Sequence, residues 1–367
     1  MKVRYSYLQQ QFAKPDAILK EFRALLKRGD FTLGKAVADF ESSFAKLIRT
    51  KTAVGVGSGT DALKLALEAV GVGHGDEVVT AANTFIATVG AIHETGARAR
   101  LVDVGENYVI DASKIEAAIT PKTKALLPVH LTGEPADMTA VLEIAAKHKL
   151  AVVEDACQSI GARWAGKNVG TYGAAAGFSL HPLKNLNVWG DGGIVVTSDA
   201  ALDARLRLLR NHGLANRDEV HLLGHNSRLD TLQAIVGNWL IKQVDDITEK
   251  RIKHAAIYEK AFAGMPEITL PPLRPGVRRV YHLFMMRVQR RDALHKHLMD
   301  NGVEAKVHYP IPLHLQKGLA PLGYKKGDFP VSEAQAADVI TLPVDQHLSL
   351  KEIKYVIDQV KGFYGKK

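Results

Sequence analysis

The sequence has a single cysteine, Cys157, and no long apolar run. One thiol cannot form an intrachain disulfide framework or a cysteine metal cage, so both kinds of structure are excluded. A helix that crosses a bilayer needs roughly 18–20 consecutive apolar residues, and no stretch approaches that length. Residues 1–16 lack the apolar stretch of a secretory signal. These absences predict a cytoplasmic protein with no membrane segment and no metal site.

Acidic residues are the scarcer charge, with 39 Asp and Glu against 48 Lys and Arg, which gives a formal net charge of +9. A basic balance suggests an anionic partner. The basic residues are scattered, however, and their densest clusters are only Arg278-Arg279 and Arg290-Arg291. No zinc-finger spacing, basic helix or aromatic RNA-binding signature occurs. The pattern favours a solvated basic surface over nucleic-acid binding and leaves a phosphorylated small ligand open.

The 367 residues allow one large domain with a sizeable core and a smaller second domain. Between about residues 52 and 200, short apolar runs alternate with helical patterns. Such alternation predicts an α/β layer fold with a mostly parallel sheet. The predicted strands are Ala53–Val56, Glu77–Thr80, Ala99–Asp103, Lys124–Val129, Ala151–Glu154, Ala175–Leu180 and Gly193–Thr197. The predicted helices between them are Asp61–Val70, Thr84–Glu94, Ser113–Ile119 and Asp137–His148.

The flanking regions carry helical patterns of their own. Two amphipathic helices precede the first strand, and a long helix is predicted from Ser227 to Val244 or beyond. Prolines then break the chain into shorter pieces before a last amphipathic helix that carries Ile353, Val356 and Val360 on one face. We therefore predict a large domain over 1–244 and a small C-terminal α+β domain over 245–367.

The first candidate site is the small-residue segment that runs from Gly55 to Leu63. A strand enters it and a helix follows, so free backbone amides and the positive helix end could bind a phosphate. The hydroxyls of Ser58 and Thr60 could add hydrogen bonds beside Gly59. Ser, Thr and Asp also serve as ordinary helix caps, and on this segment alone capping is the simpler interpretation.

The second candidate is Glu154-Asp155, at the end of a buried strand and followed by Gln158. A buried carboxylate is costly unless it meets a positive partner, and the strand ends of open α/β sheets are where ligands bind. A protonated pyridine nitrogen would suit Asp155, and Gln158 could reach a ring hydroxyl. A turn cap at Asp155 explains the segment equally well.

The third candidate is Lys184, which follows a strand that delivers Ser179 and a bend at Pro182. Lysine acts as a Schiff-base nucleophile where its surroundings lower its pKa. Most lysines are solvated surface groups, and only its place after the two other segments distinguishes Lys184.

Taken together, these segments resemble the DegT/DnrJ/EryC1/StrS family of sugar aminotransferases, which are fold-type I pyridoxal-phosphate enzymes. Nearly the whole chain takes part in the resemblance. Beyond the three segments it rests on Gly34, Phe40-Glu41, Ala82-Asn83-Thr84-Phe85, Asp137-Met138, Gly224–Asp230, His308–His314 and Leu342-Pro343. The family implies a three-layer large domain and a smaller C-terminal domain.

The resemblance also implies a role for each matching position. Ser58, Gly59, Thr60 and Ser179 would bind the cofactor phosphate, and Phe85 would stack on the pyridine ring. Asp155 would keep the ring nitrogen protonated, Gln158 would contact the ring hydroxyl, and Lys184 would form the Schiff base and carry the proton. Asn226 would reach the phosphate of a neighbouring subunit, which implies a homodimer with shared active sites. Core packing remains an alternative for Phe85.

The implied reaction moves an amino group from glutamate to a nucleotide-linked keto sugar. Gly190-Asp191-Gly192-Gly193 and the segment His308–Gln316 resemble the branch that acts at carbon 3. His308, Tyr309 and His314 are candidate substrate contacts, with a structural loop as the alternative. A carbon-4 keto sugar, a cyclitol and a non-enzymatic regulator are the competing hypotheses. Thr132, Glu134 and Leu180 depart from the common family pattern, which leaves the sugar and the donor less well defined.

Overall fold

The computed structural model describes residues 1–366 and begins with three helices that lead into alternating strands and helices. These elements, in chain order, are α1 (Leu8–Gln11), α2 (Asp16–Arg28), α3 (Lys35–Ile48), β1 (Thr52–Val56), α4 (Gly59–Ala69), β2 (Glu77–Ala81), α5 (Ile86–Glu94), β3 (Arg98–Val102), α6 (Ile115–Ala118), β4 (Thr123–Leu127), α7 (Met138–His148), β5 (Ala151–Asp155), β6 (Arg163–Trp164), β7 (Lys167–Asn168), β8 (Ala175–Ser179) and β9 (Gly193–Thr197).

The remaining elements are mostly helical, with short strands between them. They are α8 (Ala200–Leu209), α9 (Thr231–Leu240), α10 (Val244–Phe262), β10 (Ile268–Thr269), β11 (Val277–Arg278), β12 (Phe284–Val288), α11 (Arg291–Asp300), α12 (Pro330–Asp338), β13 (Val339–Leu342) and α13 (Leu350–Phe363). Side-chain caps fix several helix starts: Ser58 caps α4, Asp137 caps α7, and Ser349 forms a capping box with Glu352 at α13.

Seven of the strands in residues 1–366 form one sheet, in the order β1-β9-β8-β5-β4-β2-β3. Only β9 runs antiparallel to its neighbours, β1 and β8, and the other strands are parallel to one another. Both β8 and β9 are buried along their whole length, as expected for strands covered by helices on both faces. The predicted α/β class and all seven predicted strands are confirmed. The parallel order brings the carboxyl ends of β1, β2, β4, β5 and β8 to one edge of the sheet.

The helix predicted from Ser227 to Val244 or beyond is wrong at its start, whereas the helical segment does continue beyond Val244. Residues before Asp230 are extended, and the helix α9 begins only at Thr231. Its apolar pattern continues through a short 3-10 turn at Ile241–Gln243 into α10, which ends at Phe262. The side chain of Ser227 accepts a hydrogen bond from the Gly57 amide at 3.1 Å, so this segment is held against the loop after β1 instead of coiling.

A hydrophobic cluster outside the seven-stranded sheet surrounds the three-stranded sheet β10-β12-β13 and the helices α10, α11 and α13. Val3 and Tyr7, from the start of the chain, are buried in this cluster with Phe284 and Leu342. The amino-terminal residues therefore pack on C-terminal elements. The division at residues 244 and 245 coincides with the start of α10 and stays a prediction.

Residues 1–366 lack two features that define other classes of protein. No helix there is long and apolar enough to cross a membrane. The same residues contain no group of three or more His, Cys, Asp or Glu side chains placed to hold a metal ion.

Candidate active site

The loop between β1 and α4 forms a close contact with the end of β8. A Cβ atom added to Gly59 would lie 2.6 Å from Cβ of Ser179, so only glycine fits at this position. Ser58 is the N-cap of α4, and its Oγ accepts a hydrogen bond from the Asp61 amide at 3.1 Å. The first amides of the helix and the Ser179 hydroxyl therefore line one small concavity. Such a helix start suits an anion.

Asp155 ends β5, where it is buried and held by two donors. Its Oδ2 accepts a hydrogen bond from the Thr88 hydroxyl at 2.7 Å, and its Oδ1 accepts one from the Cys157 amide at 3.2 Å. Thr84 extends this series of hydrogen bonds, because its hydroxyl lies 2.7 Å from that of Thr88. The carboxylate is oriented but forms no salt bridge within residues 1–366, although its charge acts on Lys184, and it is therefore able to pair with a cationic ligand.

Gln158 lies one turn beyond Asp155 and is oriented by the loop after β4. Its Oε1 accepts a hydrogen bond from the Thr132 amide at 2.8 Å. The side-chain nitrogen faces the cavity, where it lies close enough to the Tyr309 hydroxyl for a hydrogen bond that opposes the rise in the pKa of Tyr309. Burial raises the pKa of Tyr309 to about 12, so its hydroxyl stays protonated at neutral pH.

Lys184 sits in the loop between β8 and β9, on the same cavity as Asp155. The loop is fixed by its backbone: the Lys184 amide donates to the His181 carbonyl, and the Lys184 carbonyl accepts from Asn187 Nδ2, both at 2.8 Å. Burial lowers the pKa of the Lys184 amine, while Cys157 and Asp155 act in the opposite direction. A lowered pKa makes a neutral, nucleophilic amine more available.

Phe85 is half exposed and projects into the cavity from the turn before α5. Its ring centroid lies 6.1 Å from that of Tyr309, with the planes tilted by 36°. An apolar ring that is left exposed at the mouth of a pocket is available to stack on a flat ligand. Simple core packing does not account for it, because the side chain is 51% exposed.

One cavity of about 390 Å³ joins these side chains, which is within the range for small-molecule sites. The predicted site residues that line it are Ser58, Gly59, Thr60, Phe85, Asp155, Gln158, Ser179, Lys184, His308 and Tyr309. They come from segments far apart in the chain and meet at the carboxyl edge of the sheet, as expected for an open α/β sheet.

Two predicted site residues are not brought to this cavity. His314 is buried behind Phe329, and its Nε2 pairs with Glu333 Oε1 at 3.0 Å, so the structure gives it a packing role and no access to a ligand there. Asn226 is exposed on the extended segment before α9 and pairs through its backbone with Asn211. Its side chain is free for a second subunit, a role that stays a prediction.

The sequence analysis missed several residues that line the cavity. Thr88 and His282 are the most informative of these. Thr88 could have been found from its spacing. It lies one helical turn after Thr84, on the helix face that, like Phe85, is directed at the carboxyl ends of the strands. No local pattern identifies His282, because it enters the cavity from the segment before β12.

The donor set of this cavity fits pyridoxal phosphate. The glycine-tight helix start and Ser179 would hold its phosphate, Asp155 its ring nitrogen, and Gln158 its ring hydroxyl. Phe85 would cover one face of the ring, and Lys184 offers the amine for the aldehyde carbon. No observation in residues 1–366 conflicts with this placement.

Comparison with known proteins gives an independent result. Residues 14–361 match the profile of the DegT/DnrJ/EryC1/StrS aminotransferase family. The chain is 42% identical to dTDP-3-amino-3,4,6-trideoxy-alpha-D-glucose transaminase of Streptomyces venezuelae, over 98% of this chain and 94% of that protein. It is also 41% identical to a Geobacillus stearothermophilus protein named pleiotropic regulatory protein, over 97% of this chain and 96% of that one.

Solved structures give the same answer. The fold superimposes with a TM-score of 0.97 on S. venezuelae DesV, solved in complex with a ketimine intermediate, at 41% identity over 100% of this chain and 99% of that one. The predicted family, the fold class and the assignment as an aminotransferase are confirmed. The chain therefore belongs to the DegT/DnrJ/EryC1/StrS aminotransferase family.

Proposed function

We propose that this chain uses pyridoxal phosphate to transfer an amino group from glutamate to carbon 3 of a nucleotide-linked keto sugar. The observation that carries the proposal is that Lys184 and Asp155 face one cavity whose other end is the helix start at Gly59. Solved relatives of this fold hold pyridoxal phosphate or its amino form, which supports the cofactor.

Each side chain has a definite task in such a reaction. When bound, pyridoxal phosphate supplies an electron sink for the charge left on the amino-acid carbon. Asp155, as a carboxylate oriented by Thr88, would keep the ring nitrogen protonated. Lys184 Nζ would hold the cofactor when no substrate is bound. It would then act as the general base that takes the proton from the donor carbon, and as the general acid that gives the proton to the cofactor carbon. The first amides of α4 would anchor the phosphate so that these distances persist.

Carbon 3 is the finer part of the proposal. The transaminase of S. venezuelae is named for a 3-amino sugar, and a relative in Acidithiobacillus ferrooxidans for a 3-dehydro sugar. Asp191, from the Gly190–Gly193 segment, lies on the cavity wall beside Lys184. A residue there can fix which ring carbon reaches Lys184 Nζ, and reactivity depends strongly on that placement.

The proposal includes a cytoplasmic homodimer with shared active sites. Asn226 is exposed and unused by its own subunit's cavity, and several apolar side chains near it are exposed as well, among them Val220 and Leu223. A two-fold partner would bury such a patch and could bring Asn226 to the other subunit's phosphate.

Matched substrates test the function. Glutamate alone should convert the yellow cofactor-bound protein to its colourless amino form with release of one 2-oxoglutarate per site. Nucleotide-linked 3-keto and 4-keto sugars should then be compared by kcat/KM. We expect the 3-keto sugar to be preferred by at least tenfold. Preference for the 4-keto sugar would contradict only the assignment to carbon 3 and leave the aminotransferase reaction standing. A cofactor that glutamate does not convert would contradict glutamate as the donor.

A further inference from the structure

The cavity has few cationic side chains for a donor that carries two carboxylates. The basic residues that this chain contributes to its wall, within residues 1–366, are Lys184, His181, His282 and His308, and no arginine is among them. Lys184 is committed to the cofactor. A dicarboxylate in this cavity therefore has to be met by histidines, by backbone amides or by a neighbouring subunit.

Two of these histidines are fixed in place and have an unused nitrogen. His308 Nδ1 lies 2.9 Å from the Thr341 hydroxyl, which orients the ring and leaves Nε2 for another partner. His282 Nδ1 is buried and has no hydrogen-bond partner among the described residues. The His282 backbone is held by Arg251, whose Nη1 donates to its carbonyl at 3.3 Å. The His282 Nε2 also makes no hydrogen bond within residues 1–366 and, unlike Nδ1, is not closed off from the cavity, so Nε2 is the nitrogen that a ligand can reach.

We propose that His282 and His308 form the subsite for a carboxylate of the amino donor, and that the pair takes up a proton when the carboxylate binds. This inference rests on the proposed function, because it assigns residues to the donor of that reaction. His282 thereby becomes a substrate-binding residue in addition to the predicted His308.

The surrounding charges explain why a proton is taken up only with the ligand. Burial lowers the pKa of His308 to about 4, with smaller contributions from Lys306 and Lys184. Burial also lowers the pKa of His282 well below its ordinary value, and Lys184, Arg251, His308 and His181 add to the shift. The acidic groups on the cavity wall are Asp155 and Asp191.

Both rings are therefore neutral in the free site at pH 7. A bound carboxylate supplies the missing negative charge and raises the pKa of the histidines. A group whose pKa rises on binding takes up a proton, so binding weakens as the pH rises, by up to about tenfold per pH unit for one proton. A site lined by ordinary lysines would differ, because lysines stay charged between pH 6 and 8 and the affinity would not change in that range.

The test uses glutarate, which has the two carboxylates of glutamate but no amine, and the cofactor-bound protein. Titration calorimetry at pH 7.5 in two buffers that lack a primary amine and differ in ionisation enthalpy, such as PIPES and HEPES, measures the protons taken up. We expect a fraction of a proton per site, up to about a quarter at this pH, because one opposite charge raises a pKa by about 1–3 units and the pKa of His308 starts at about 4. His282→Asn and His308→Asn should each weaken binding by about tenfold or more and reduce the uptake. His93→Asn, on the exposed end of α5, is the matched control and should change neither.

Only variants that keep the visible absorbance of the bound cofactor are compared with the wild type. If His282→Asn loses this absorbance, His282→Gln takes its place. Wild-type protein that binds no glutarate, or binds it without proton uptake, would overturn the proposal, as would unchanged binding in both variants. The proposed function has a separate readout, the bleaching of wild-type protein by glutamate. Bleaching together with unchanged glutarate binding in the variants would remove the subsite and leave the function standing.

Discussion

Thr88 Oγ1 donates a hydrogen bond to Asp155 Oδ2 over 2.7 Å, and this bond joins helix α5 to the carboxyl end of β5. The neighbouring Thr84 hydroxyl, 2.7 Å from that of Thr88, extends the chain. Asp155 is thereby held at a fixed angle to the cavity before any ligand enters. Pre-orientation of this kind lets a charged group act without reorganisation.

Thr88→Val removes this donor and keeps the shape of the side chain. A hydrogen bond to a charged group contributes about 1.5–3 kcal/mol, so we expect kcat/KM for the glutamate half-reaction to fall by about 10- to 100-fold. Stopped-flow absorbance of the bound cofactor measures this. Thr95→Val, at the other end of α5 where the hydroxyl bonds to the Ile92 carbonyl, is the control. An unchanged rate in Thr88→Val would show that Asp155 is oriented by other contacts.

Lys184→Ala should abolish transamination and leave the fold intact. One amine is proposed to hold the cofactor and to carry the proton, and no other lysine lines the cavity in residues 1–366. The wild-type protein should be yellow and the variant should lack that band, with an unchanged circular dichroism spectrum. Lys51→Ala, at an exposed position before β1, is the control. Equal absorbance and turnover in Lys184→Ala would assign the chemistry to another lysine.

Shared active sites can be tested by mixing two inactive proteins. Lys184→Ala and Asn226→Asp each impair both sites of their own homodimer, but a mixed dimer keeps one intact site if Asn226 acts across the interface. The added carboxylate repels the phosphate in the other site. Unfolding and refolding an equal mixture should recover about a quarter of the wild-type activity, since half of the dimers are mixed. Recovery of none would place Asn226 in its own subunit's site, and an Asn226→Asp protein that is active by itself would place Asn226 outside any site.

Glu134 has a structural task that the family comparison does not reveal. Its carboxylate is 1% exposed and accepts a hydrogen bond from Arg274 Nε at 2.7 Å and another from Arg279 Nε. Glu134→Gln removes the counter-ion that both guanidinium groups share and leaves only Glu259, 4.0 Å from Arg279 Nη1. Breaking a buried pair costs about 3–5 kcal/mol. We expect a clear fall in the thermal unfolding temperature.

Glu134→Gln should also lower kcat more than it alters glutarate binding. The reason is that the loop it anchors carries the Thr132 amide that orients Gln158. Glu116→Gln, an exposed carboxylate bonded to Lys147 and His148, is the control and should melt with the wild type. An unchanged melting temperature in Glu134→Gln would mean that the two arginines find other partners.

The sequence predicts the sheet and the main cofactor residues because both depend on local patterns. Strand periodicity located β5 and β8, although the predicted ends, Glu154 and Leu180, each differ by one residue from the observed ends, Asp155 and Ser179. The resemblance to the family then implied cofactor roles for Asp155 and Ser179. The start of α9 was not predicted, because a hydrogen bond from the distant Gly57 keeps Ser227 extended. Tertiary contacts of this kind override a helical pattern.

The difference between local sequence patterns and tertiary packing also explains the errors at the site. His314 belongs to the motif that contains His308, yet it turns away from the cavity to pair with Glu333. His282 belongs to no motif and still reaches the cavity wall. Motif membership identifies a segment, whereas the direction of each side chain depends on how that segment packs.

Gly59 and His308 line the same cavity although roughly 250 residues separate them in the chain, a separation typical of slow, non-local folding. The cavity therefore closes only after the C-terminal strands have docked on the large sheet. A nascent chain on the ribosome already carries Gly59, Asp155 and Lys184 but not the wall that His282 and His308 supply. A cofactor that binds only the completed cavity stabilises the native state by mass action. The supply of cofactor therefore helps to determine how much of the newly made protein reaches the folded state in the cell.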